Sequence, residues 1–487
     1  MSALHAEWTK FRTVRGWVLG LVAAGGLIML LGLAPGMSGS CGKHGPASAC
    51  TPTIGPGGEQ VNDHFTFVHQ PLTGDGSVTV RVASLTGSIF DGPGADRPGL
   101  APWAKAGLMI KSGVTPGSTY AAVLLTGSHG VRTQWDYTHD EQGPAVTATP
   151  WLRLSRTGAT VTTAASADGV TWTDAGSARL AGLPATAEVG LFVTAPQFST
   201  EMHEGLLNGS QGGPSQATGT FEQLTAGDGW AGSAWHTDWV GGRPDWADLP
   251  EPARQGSGFR VSGSGDVGPA GAGVSVTQTL VGTFTGLIVV VVLGAVAMST
   301  EYRRGLIRTT FAASPHRLRV LAAKAAVIGG VAFGVGVVAA AIVVVFGQRI
   351  LRDNGVALLD SSPQTELRVV AGTGALLAVS AVLALGLGAL FKRSVTAVTV
   401  AIVIIVLPYL LAVTVLPVEA ARRLLTFTPA AAFALQQAVK QYPQVDDLYA
   451  PSVGYFPLAP WAGLAVLLGW TALILGAAAV FLHRRDA

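Results

Sequence analysis

Few side chains in this 487-residue sequence have a type and spacing suited to chemistry. Cys41 and Cys50 flank a short segment with Gly and Pro, and we favour a local disulfide between them if that segment lies in an oxidising compartment. The alternative is two free thiols in a stalk. No His or Cys cluster nearby completes a metal site, and no carboxylate pair has the clear spacing of a glycosidase. We therefore expect no catalytic residue and no metal.

Residues that would hydrolyse ATP or bind a driving ion are also missing from the sequence. No G-x-x-x-x-G-K-[ST] motif occurs, so we do not expect the chain to hydrolyse ATP alone. No Asp, Glu or His lies deep in an apolar segment, whereas ion-driven carriers usually need such groups to bind and release the driving ion. The same absence argues against a cation channel lined by acidic rings.

Charged residues make up only 12% of the chain, whereas a soluble domain typically carries about 25%. Residues 279–487 are mostly Val, Ala, Leu and Gly, while residues 35–275 are rich in Gly, Thr, Ser, Asp and Trp. The net charge of +2 supports no nucleic-acid partner. This composition predicts a bacterial membrane protein that is interrupted by a water-soluble domain.

Six apolar segments are long enough to cross a bilayer, which takes about 20 residues in a helix. They are residues 17–34, 280–298, 320–346, 367–391, 395–416 and 461–482. The first is longer than the apolar core of a signal peptide, so we expect an uncleaved span rather than a cleaved leader. Pro408 should kink the fifth span, since proline lacks a backbone donor.

Basic residues orient these spans. They precede the first span, separate the second from the third and the fourth from the fifth, and follow the sixth. Because Lys and Arg mark cytoplasmic ends, both termini are predicted in the cytoplasm. The predicted fold class is a polytopic α-helical membrane protein of six spans, with an extracellular all-β sandwich inserted between the first and the second.

The sequence also predicts the environment of one lysine and of two glycine pairs in or beside the spans. Lys324 stands near the start of the third span and is expected to snorkel to the membrane surface. Gly16/Gly20 and Gly330/Gly334 have the four-residue spacing that lets helix backbones approach each other. We expect these pairs to serve packing within the chain more than dimerisation.

Residues 61–225 alternate in the manner of strands. SVTVRVASL (77–85) and EVGLFVT (188–194) place their valines on one face, which is typical of half-buried antiparallel strands. Asp168-Gly169 predicts a hairpin, with Trp172 on the return strand. The short turns indicate a sandwich. A Gly/Pro-rich stalk precedes it at 35–60, and a Trp/Gly-rich segment returns to the membrane at 226–278.

This region resembles bacterial concanavalin- or laminin-G-like domains. The resemblance rests on PWAKAGLMIK (102–111), YAAVLLTGSHGVRTQWDY (120–137), WLRLSRTG (151–158) and SADGVTWT (166–173). It implies either a cell-envelope glycan as ligand or no known ligand. Trp103, Trp135 and Trp172 are candidates to stack on sugar rings. The alternative, which we favour, is that they fill the sandwich core, because each belongs to a strand pattern.

The segment STEYRRGLIRTTFAASPHRLRVLAAK (299–324) links the second and third spans. It is short and basic, and helix continuation is disfavoured at Ser314-Pro315. Such a segment can lie on the membrane or dock into a groove on a partner. The alternative is that its basic residues bind no partner and only reflect the general excess of Lys and Arg on the cytoplasmic side of a membrane.

The pattern E-Y-R-R-G-x-I-R-T-T-x-x-A-S-P in this segment closely resembles a loop in permeases of type-2 ABC transporters. Residues 4–17, LHAEWTKFRTVRGW, resemble the amphipathic helix that leads into their first span, with Glu7, Trp8 and Lys10 in the expected order. The resemblance covers residues 1–34 and about 276–487. It implies a loop that couples to an ATPase subunit, comprising Glu301, Tyr302, Arg303, Arg304, Gly305, Arg308 and Pro315.

The resemblance implies the permease subunit of an ATP-driven exporter in the cell membrane. A separate ABC ATPase subunit would bind ATP and Mg, and a second permease subunit, identical or related, would pair with this one. It also implies short outer helices within residues 417–460 that cap the exit path. The sequence leaves the cargo open, although a mostly apolar pathway favours amphipathic compounds.

Two other function classes remain open at this stage. The first is a membrane-anchored, glycan-binding sensor, for which a single span would suffice. The second is a cell-envelope enzyme built on the sandwich, although no catalytic constellation can be assembled for it. A neighbouring coding region for an ATPase would favour the permease over both.

Overall fold

The computed structural model describes most of the chain between Ala3 and Arg484. The described residues are 3–38, 52–90, 96–146, 149–204, 207–227, 230, 234–244, 246, 248–270, 274–303, 317–354, 356, 358–445, 450–451 and 454–484. Strands occupy the middle of the chain, and helices precede and follow them. Cys41 and Cys50 lie outside the described residues, so their disulfide stays a prediction.

Helices make up the two flanking parts. Before the strands stand the N-terminal helix, Ala3–Thr13, and the helix Arg15–Ser38. After the strands come Val276–Thr279, Gly282–Arg303, Arg317–Ile342, Gln348–Asp353, Pro363–Phe391, Ser394–Ala401, Leu407–Thr414, Val418–Phe427 and Pro460–Arg484. The described residues of this part also include a 3₁₀ segment, Pro429–Gln436, and two π-helical turns, Val343–Gly347 and Ile402–Val406.

Within the described residues, six helical stretches are long and apolar enough to cross a membrane, which confirms the expected number. We name them TM1 (Arg15–Ala34), TM2 (Gly282–Tyr302), TM3 (Arg317–Asp353), TM4 (Pro363–Phe391), TM5 (Ser394–Thr414) and TM6 (Pro460–Leu482). The stretches have 20 to 37 residues, so each meets the length that a bilayer requires.

Glycines bring TM2 and TM4 into close contact. A Cβ on Gly294 would lie 2.4 Å from the carbonyl oxygen of Ala381, and a Cβ on Gly388 would lie 2.4 Å from that of Ala295. No other residue fits at either position without a backbone shift. Small residues therefore determine how closely these two helices approach each other.

The glycine pairs singled out in the sequence do not have this role. Gly20 packs against the Leu293 side chain, but nothing lies within 4 Å of a Cβ placed on Gly16, Gly330 or Gly334. The expectation of close packing at Gly330/Gly334 is therefore wrong. Glycines four residues apart leave one face of a helix without side chains, but this spacing does not determine whether another helix packs against that face.

Pro408 lies directly after the π-helical turn Ile402–Val406 in TM5. Proline offers no backbone donor, and its ring would clash with the carbonyl four residues earlier. The wider π turn accommodates both constraints and interrupts the regular helix where the sequence predicts a kink.

In the part of the middle region that the structure describes, twenty strands are present. They are β1 (Thr53–Ile54), β2 (Gln60–Asp63), β3 (Phe65–Thr73), β4 (Gly76–Phe90), β5 (Asp96–Pro98), β6 (Lys105–Lys111), β7 (Tyr120–Thr126), β8 (Val131–Trp135), β9 (His139–Gln142), β10 (Trp151–Thr157), β11 (Thr160–Ser166), β12 (Thr173–Arg179), β13 (Thr186–Thr194), β14 (Phe198–Glu204), β15 (Leu207–Gly213), β16 (Ser215–Gly227), β17 (His236–Val240), β18 (Ala253–Gln255), β19 (Gly258–Gly263) and β20 (Val267–Pro269).

Two antiparallel sheets dominate this region. The first has the order β12-β11-β10-β4-β16-β19-β18, with β5 paired to β4, and the second has the order β17-β3-β13-β6-β7-β8-β9. One apolar core holds buried residues of both sheets, such as Val80 and Leu154 from the first and Leu108 and Leu191 from the second. The two sheets therefore pack face to face.

The second sheet is covered on both faces. All residues of β6 and β7 are buried, and so is most of β13. Val61 of β2 and Val267 of β20 join Phe67 and Phe192 in a second apolar cluster, so the small sheet β1-β2-β20 covers the far face. The expectation of half-buried strands is wrong for β13, because local alternation does not reveal a third layer.

The predicted hairpin is present between β11 and β12, which pair in antiparallel register. Gly169 has a positive φ of 76°, and Asp168 Oδ1 accepts from the backbone N–H groups of Val170 and Thr171, at 2.8 Å each. These hydrogen bonds, chiefly that from Thr171, lower the pKa of Asp168 to about 2. The loop is longer than a tight turn, and Trp172 lies in it rather than on the return strand.

Candidate functional site

Four charged side chains meet where the N-terminal helix, TM2 and TM3 come together. Lys324 Nζ donates to Glu7 Oε2 and to Glu301 Oε1, at 2.8 Å each. Lys10 Nζ donates to the same oxygen of Glu301. Glu7, Glu301 and Lys324 are at most 9% exposed, so the contacts lie in a low-dielectric setting. We call these four residues the ion cluster.

Helix geometry brings the cluster together. Glu7 and Lys10 are three residues apart and therefore share one face of the N-terminal helix, which packs against TM3. Glu301 stands in the last turn of TM2, and Lys324 stands two turns into TM3. The N-terminal helix thus meets two consecutive spans, which are distant from it in sequence, at one charged point.

The environment of Lys324 differs from the expectation. The sequence predicts that its ammonium snorkels to the membrane surface, whereas Lys324 is only 4% exposed and pairs with two carboxylates. The N-terminal helix covers it and supplies one of those carboxylates. A buried charge persists only when it is paired and hydrogen-bonded, and removal of one partner typically costs about 3–5 kcal/mol.

Lys10 is the exposed member of the cluster, with 39% of its side chain accessible. Partial burial lowers the pKa of Lys10, and the nearby positive charge of Lys324 lowers it further. An ammonium has three donors, and Glu301 takes one of them. Lys10 can therefore contact a further acceptor at the rim of the cluster.

A cavity of about 130 Å³ opens beside the ion cluster. All four charged residues line it. The other lining residues are Phe11 of the N-terminal helix, Val14 between that helix and TM1, Trp17 of TM1, Ala297 and Thr300 of TM2, and Val327 and Ile328 of TM3. Glu301 Oε2 is buried and has no hydrogen-bond partner among the described residues. A buried carboxylate oxygen in this state is an unsatisfied acceptor.

The same end of the helical region holds the ends of other spans. Ser299 Oγ lies 2.9 Å from Ser394 Oγ at the start of TM5, and Lys392 Nζ lies 5.2 Å from the centre of the Tyr302 ring. Arg317 donates to the carbonyl of Leu482 near the end of TM6. The end of TM2 therefore contacts TM3 and TM5, and TM3 in turn contacts TM6 through Arg317.

The predicted coupling residues are only partly described. Glu301 and Tyr302 are in the last turn of TM2, and the helix ends at Arg303. Arg304, Gly305, Arg308 and Pro315 lie outside the described residues, so their role stays a prediction. In the N-terminal helix, Glu7 and Lys10 belong to the ion cluster, while Trp8 is 41% exposed and stacks on Phe11 with ring centres 6.1 Å apart.

The three candidate glycan tryptophans do not share one environment. Trp103 is 5% exposed and stacks on His129, with ring centres 4.0 Å apart. Trp135 is half-buried against the sandwich core and stacks on His139. Trp172 lies 3.8 Å from the Arg153 guanidinium, and it is half-buried. Glycan contact stays a prediction for all three.

A second polar site lies at the opposite end of the spans. The 3₁₀ segment Pro429–Gln436 is buried along its whole length. Gln436 Nε2 donates to Thr373 Oγ1 of TM4 at 2.8 Å and to Thr283 Oγ1 of TM2 at 3.0 Å. Arg368 donates to the carbonyl of Gln437. The family resemblance implied short outer helices within residues 417–460, but not that this segment is enclosed by the spans.

Two glycines, one in TM4 and one in TM6, let the 3₁₀ segment Pro429–Gln436 pack closely between these two spans. A Cβ on Gly372 would lie 2.8 Å from Leu435 Cβ, and a Cβ on Gly463 would lie 2.2 Å from the carbonyl oxygen of Ala431. The preceding helix, Val418–Phe427, is tied to TM6 because Trp470 Nε1 donates to the carbonyl of Phe427. The segment thus packs closely against TM4 and TM6 at this end of the spans.

The same connection reaches the strand region. Gln444 is 2% exposed, and its Nε2 donates to the carbonyl of Tyr137 across 3.2 Å. Tyr137 donates to Asp63, which also accepts from the fully buried Lys111. Burial raises the pKa of Tyr137, and the neighbouring Asp63 raises it further. A buried polar network in the sheets therefore abuts the segment that leads to TM6.

Six apolar helices and these polar contacts define a multi-pass membrane protein with a large β-sheet region. The chain belongs to the family described as ABC-2 family transporter protein, which matches residues 158–487. This match covers all spans after TM1 and begins within the strand region. Membership assigns the chain a transmembrane permease role and not that of a catalytic subunit.

Comparison with curated proteins returned no match. Among solved structures, the chain is similar to a mutant of the GH43 protein BlXynB from Bacillus licheniformis, with 17% identity and a TM-score of 0.18 over 24% of each chain. It thus spans about a quarter of that protein. A functionally unknown protein from Saccharomyces cerevisiae has 15% identity and a TM-score of 0.19, over 32% of this chain and 71% of that one.

A third solved structure is SCP-B, a member of the Eqolisin family of peptidases, in complex with the tripeptide Ala-Ile-His. It has 10% identity and a TM-score of 0.25, over 42% of this chain and 98% of that one. All three TM-scores are low, so no argument about ligand or activity rests on these similarities.

Proposed function

We propose that the chain is the permease subunit of an ATP-driven ABC exporter in the cell membrane. The observation that carries this proposal is the ion cluster, which joins the N-terminal helix and TM3 to the last turn of TM2. The chain continues from that turn into the basic segment with the E-Y-R-R-G pattern. Movement of this segment by a partner would thus act on three helices at once.

The energy source in this proposal is a separate ATPase subunit that holds ATP and Mg. The family match supports such a partner, and the absence of a phosphate-binding motif from the sequence makes it necessary. Closure of the ATPase would push residues 299–315, and the buried Lys324 would transmit the push from Glu301 to TM3. A second permease subunit would supply the other wall of the pathway.

The outer end of the pathway would be closed by Pro429–Gln436. This segment lies against TM2, TM4 and TM6, so its displacement would open the space between them. In this orientation both termini are cytoplasmic, and the strands form an extracellular domain of the concanavalin- or laminin-G-like type. The contact between Gln444 and Tyr137 would let that domain influence the gate.

The test is co-purification of the ATPase with the chain. Arg303→Glu together with Arg304→Glu should weaken the association and abolish export, because both changes reverse charge where the partner docks. Arg254→Glu is the matched control, since Arg254 is exposed on β18 in the strand region. Unchanged co-purification and unchanged export in the double variant would contradict the proposal.

A glycan-binding sensor is the second candidate, and the packing of Trp172 on Arg153 favours it. A ring that rests on a guanidinium at a sheet surface offers its other face to a sugar. The full-length chain in detergent would be applied to an array of cell-envelope glycans. Binding that Trp172→Ala removes and Trp103→Ala leaves intact would support this function, while an array without signal would count against it.

A further inference from the structure

An apolar groove runs along TM3 beside the ion cluster. It has a volume of about 550 Å³ and is lined by Leu4 and Trp8 of the N-terminal helix and by Ala326, Val327, Gly330, Val331, Gly334 and Val335 of TM3. Gly330 and Gly334 leave its floor open, because nothing lies within 4 Å of a Cβ on either residue. The described part of the chain therefore leaves this groove unfilled.

The groove and the charged cavity adjoin each other. Val327 lines both of them, so the apolar groove borders the charged cavity at the end of the spans. A phospholipid has the same division into an acyl chain and a charged headgroup. The combined shape therefore matches a lipid better than it matches a soluble metabolite.

The charged residues of the cavity indicate which kind of lipid headgroup fits there. Inside the cavity wall, the buried Glu301 has one carboxylate oxygen without a partner among the described residues, and this oxygen needs a donor. At the rim stands Lys10, which is 39% exposed and has donors to spare for an anion. A headgroup with an N–H donor at its tip and a phosphate behind it complements both residues.

We propose that this joint site binds one phospholipid whose headgroup carries a primary amine. Its ammonium donates to Glu301, its phosphate accepts from Lys10, and one acyl chain lies in the groove over Gly330 and Gly334. The site goes beyond the transport proposal and does not depend on it, because lipid binding requires no ATPase. It also provides a means by which membrane composition acts on the end of TM2.

The test uses the purified full-length chain and native mass spectrometry with three added lipids. Phosphatidylethanolamine has the N–H donors, phosphatidylcholine has the same charges without a donor, and phosphatidylglycerol has no amine. We expect retention of phosphatidylethanolamine to exceed that of the other two by at least about tenfold, the factor for one hydrogen bond to a charged group. Equal retention of the three lipids, or retention of none, would overturn the proposal.

Variants separate the groove from the headgroup contact. Gly330→Leu with Gly334→Leu should fill the groove and abolish retention, whereas Gly469→Leu with Gly476→Leu adds the same bulk at open positions of TM6 and should not. Glu301→Gln should remove the preference for the amine while a lipid is still retained. Full retention in the TM3 double variant, or an unchanged preference in Glu301→Gln, would also overturn the proposal.

Discussion

Gln444 Nε2 donates to the backbone carbonyl of Tyr137, although 307 positions separate the two residues in the chain. One lies in the connection before TM6 and the other directly after β8. Gln444 is almost completely buried, so the hydrogen bond forms away from water. Through this bond the connection before TM6 is attached to the buried network of Asp63, Lys111 and Tyr137.

Gln444→Ala should loosen this attachment without unfolding either part. Loss of a buried hydrogen bond that leaves its acceptor unpaired costs about 1–3 kcal/mol. We expect faster hydrogen exchange in residues 437–445 and in the β8–β9 turn. Gln441→Ala is the control, because Gln441 is in the same connection but exposed. Equal exchange in the two variants would show that Gln444 does not hold the segment.

Lys324→Met should destabilise the helical region strongly. Without its ammonium, Glu7 loses its partner in the cluster and Glu301 keeps only Lys10, and breaking a buried pair costs about 3–5 kcal/mol. The measurement is the melting temperature of the purified chain in detergent. Arg319→Met removes an exposed cation from the same helix and should change it little. A Lys324→Met melting temperature close to that of the wild type would mean that the ion cluster adds no stability.

Gly463→Ala should displace the 3₁₀ segment from TM6. The added Cβ would lie 2.2 Å from the carbonyl oxygen of Ala431, and overpacking of this kind costs about 1–3 kcal/mol. Gly469→Ala, where the space is open, should be neutral or slightly stabilising, because alanine favours a helix by about 1 kcal/mol over glycine. Thermal stability of the two variants is the measurement, and the same shift in both would refute close seating of this segment.

The Asp168 turn should make hairpin stability depend on pH in the acid range. Hydrogen bonds from Thr171 and Val170 depress the folded pKa of Asp168 from 3.8 to about 2. Its contribution is therefore present above 3.8 and is lost as the pH falls through about 2. We expect Asp168→Ala to lower the melting temperature of the strand region at neutral pH and to match the wild type in strong acid.

Asp174→Ala is the control for this pH dependence, because Asp174 is an exposed carboxylate on the adjacent strand. If Asp168→Ala lowered stability equally at neutral pH and in strong acid, the carboxylate would not be the cause. The turn would then depend on Gly169 and on its positive φ alone.

Local sequence predicts a large part of this fold. TM2 and TM6 can be recognised because a bilayer requires an uninterrupted apolar stretch, and the interruption of the helix near Pro408 follows from the chemistry of one residue. The hairpin at Gly169 follows from its turn residues. The third layer over β6 and β7 could not be predicted, since it comes from β2 and β20 at the two ends of the strand region.

The candidate site divides in the same way. Two sequence signals indicated this site, the E-Y-R-R-G pattern and the order of Glu7 and Lys10. Both depend on resemblance to a family, which implies that these residues lie at the ends of spans. The pairing of these residues with Lys324 had no sequence signal. A lysine near the end of a span usually reaches water. Lys324 does not, because the N-terminal helix covers it, and its buried ammonium therefore pairs with two carboxylates.

The sequence by itself determined that the chain crosses a membrane and carries strands between its first and second spans, because both properties depend on the composition of contiguous segments. Only the tertiary structure decided which charges meet. Lys324 lies 317 positions from Glu7 and 23 from Glu301, and their contact results from the packing of three helices. Because these side chains are buried, their charges have to be paired, since the free energy of an unpaired charge away from water is too high.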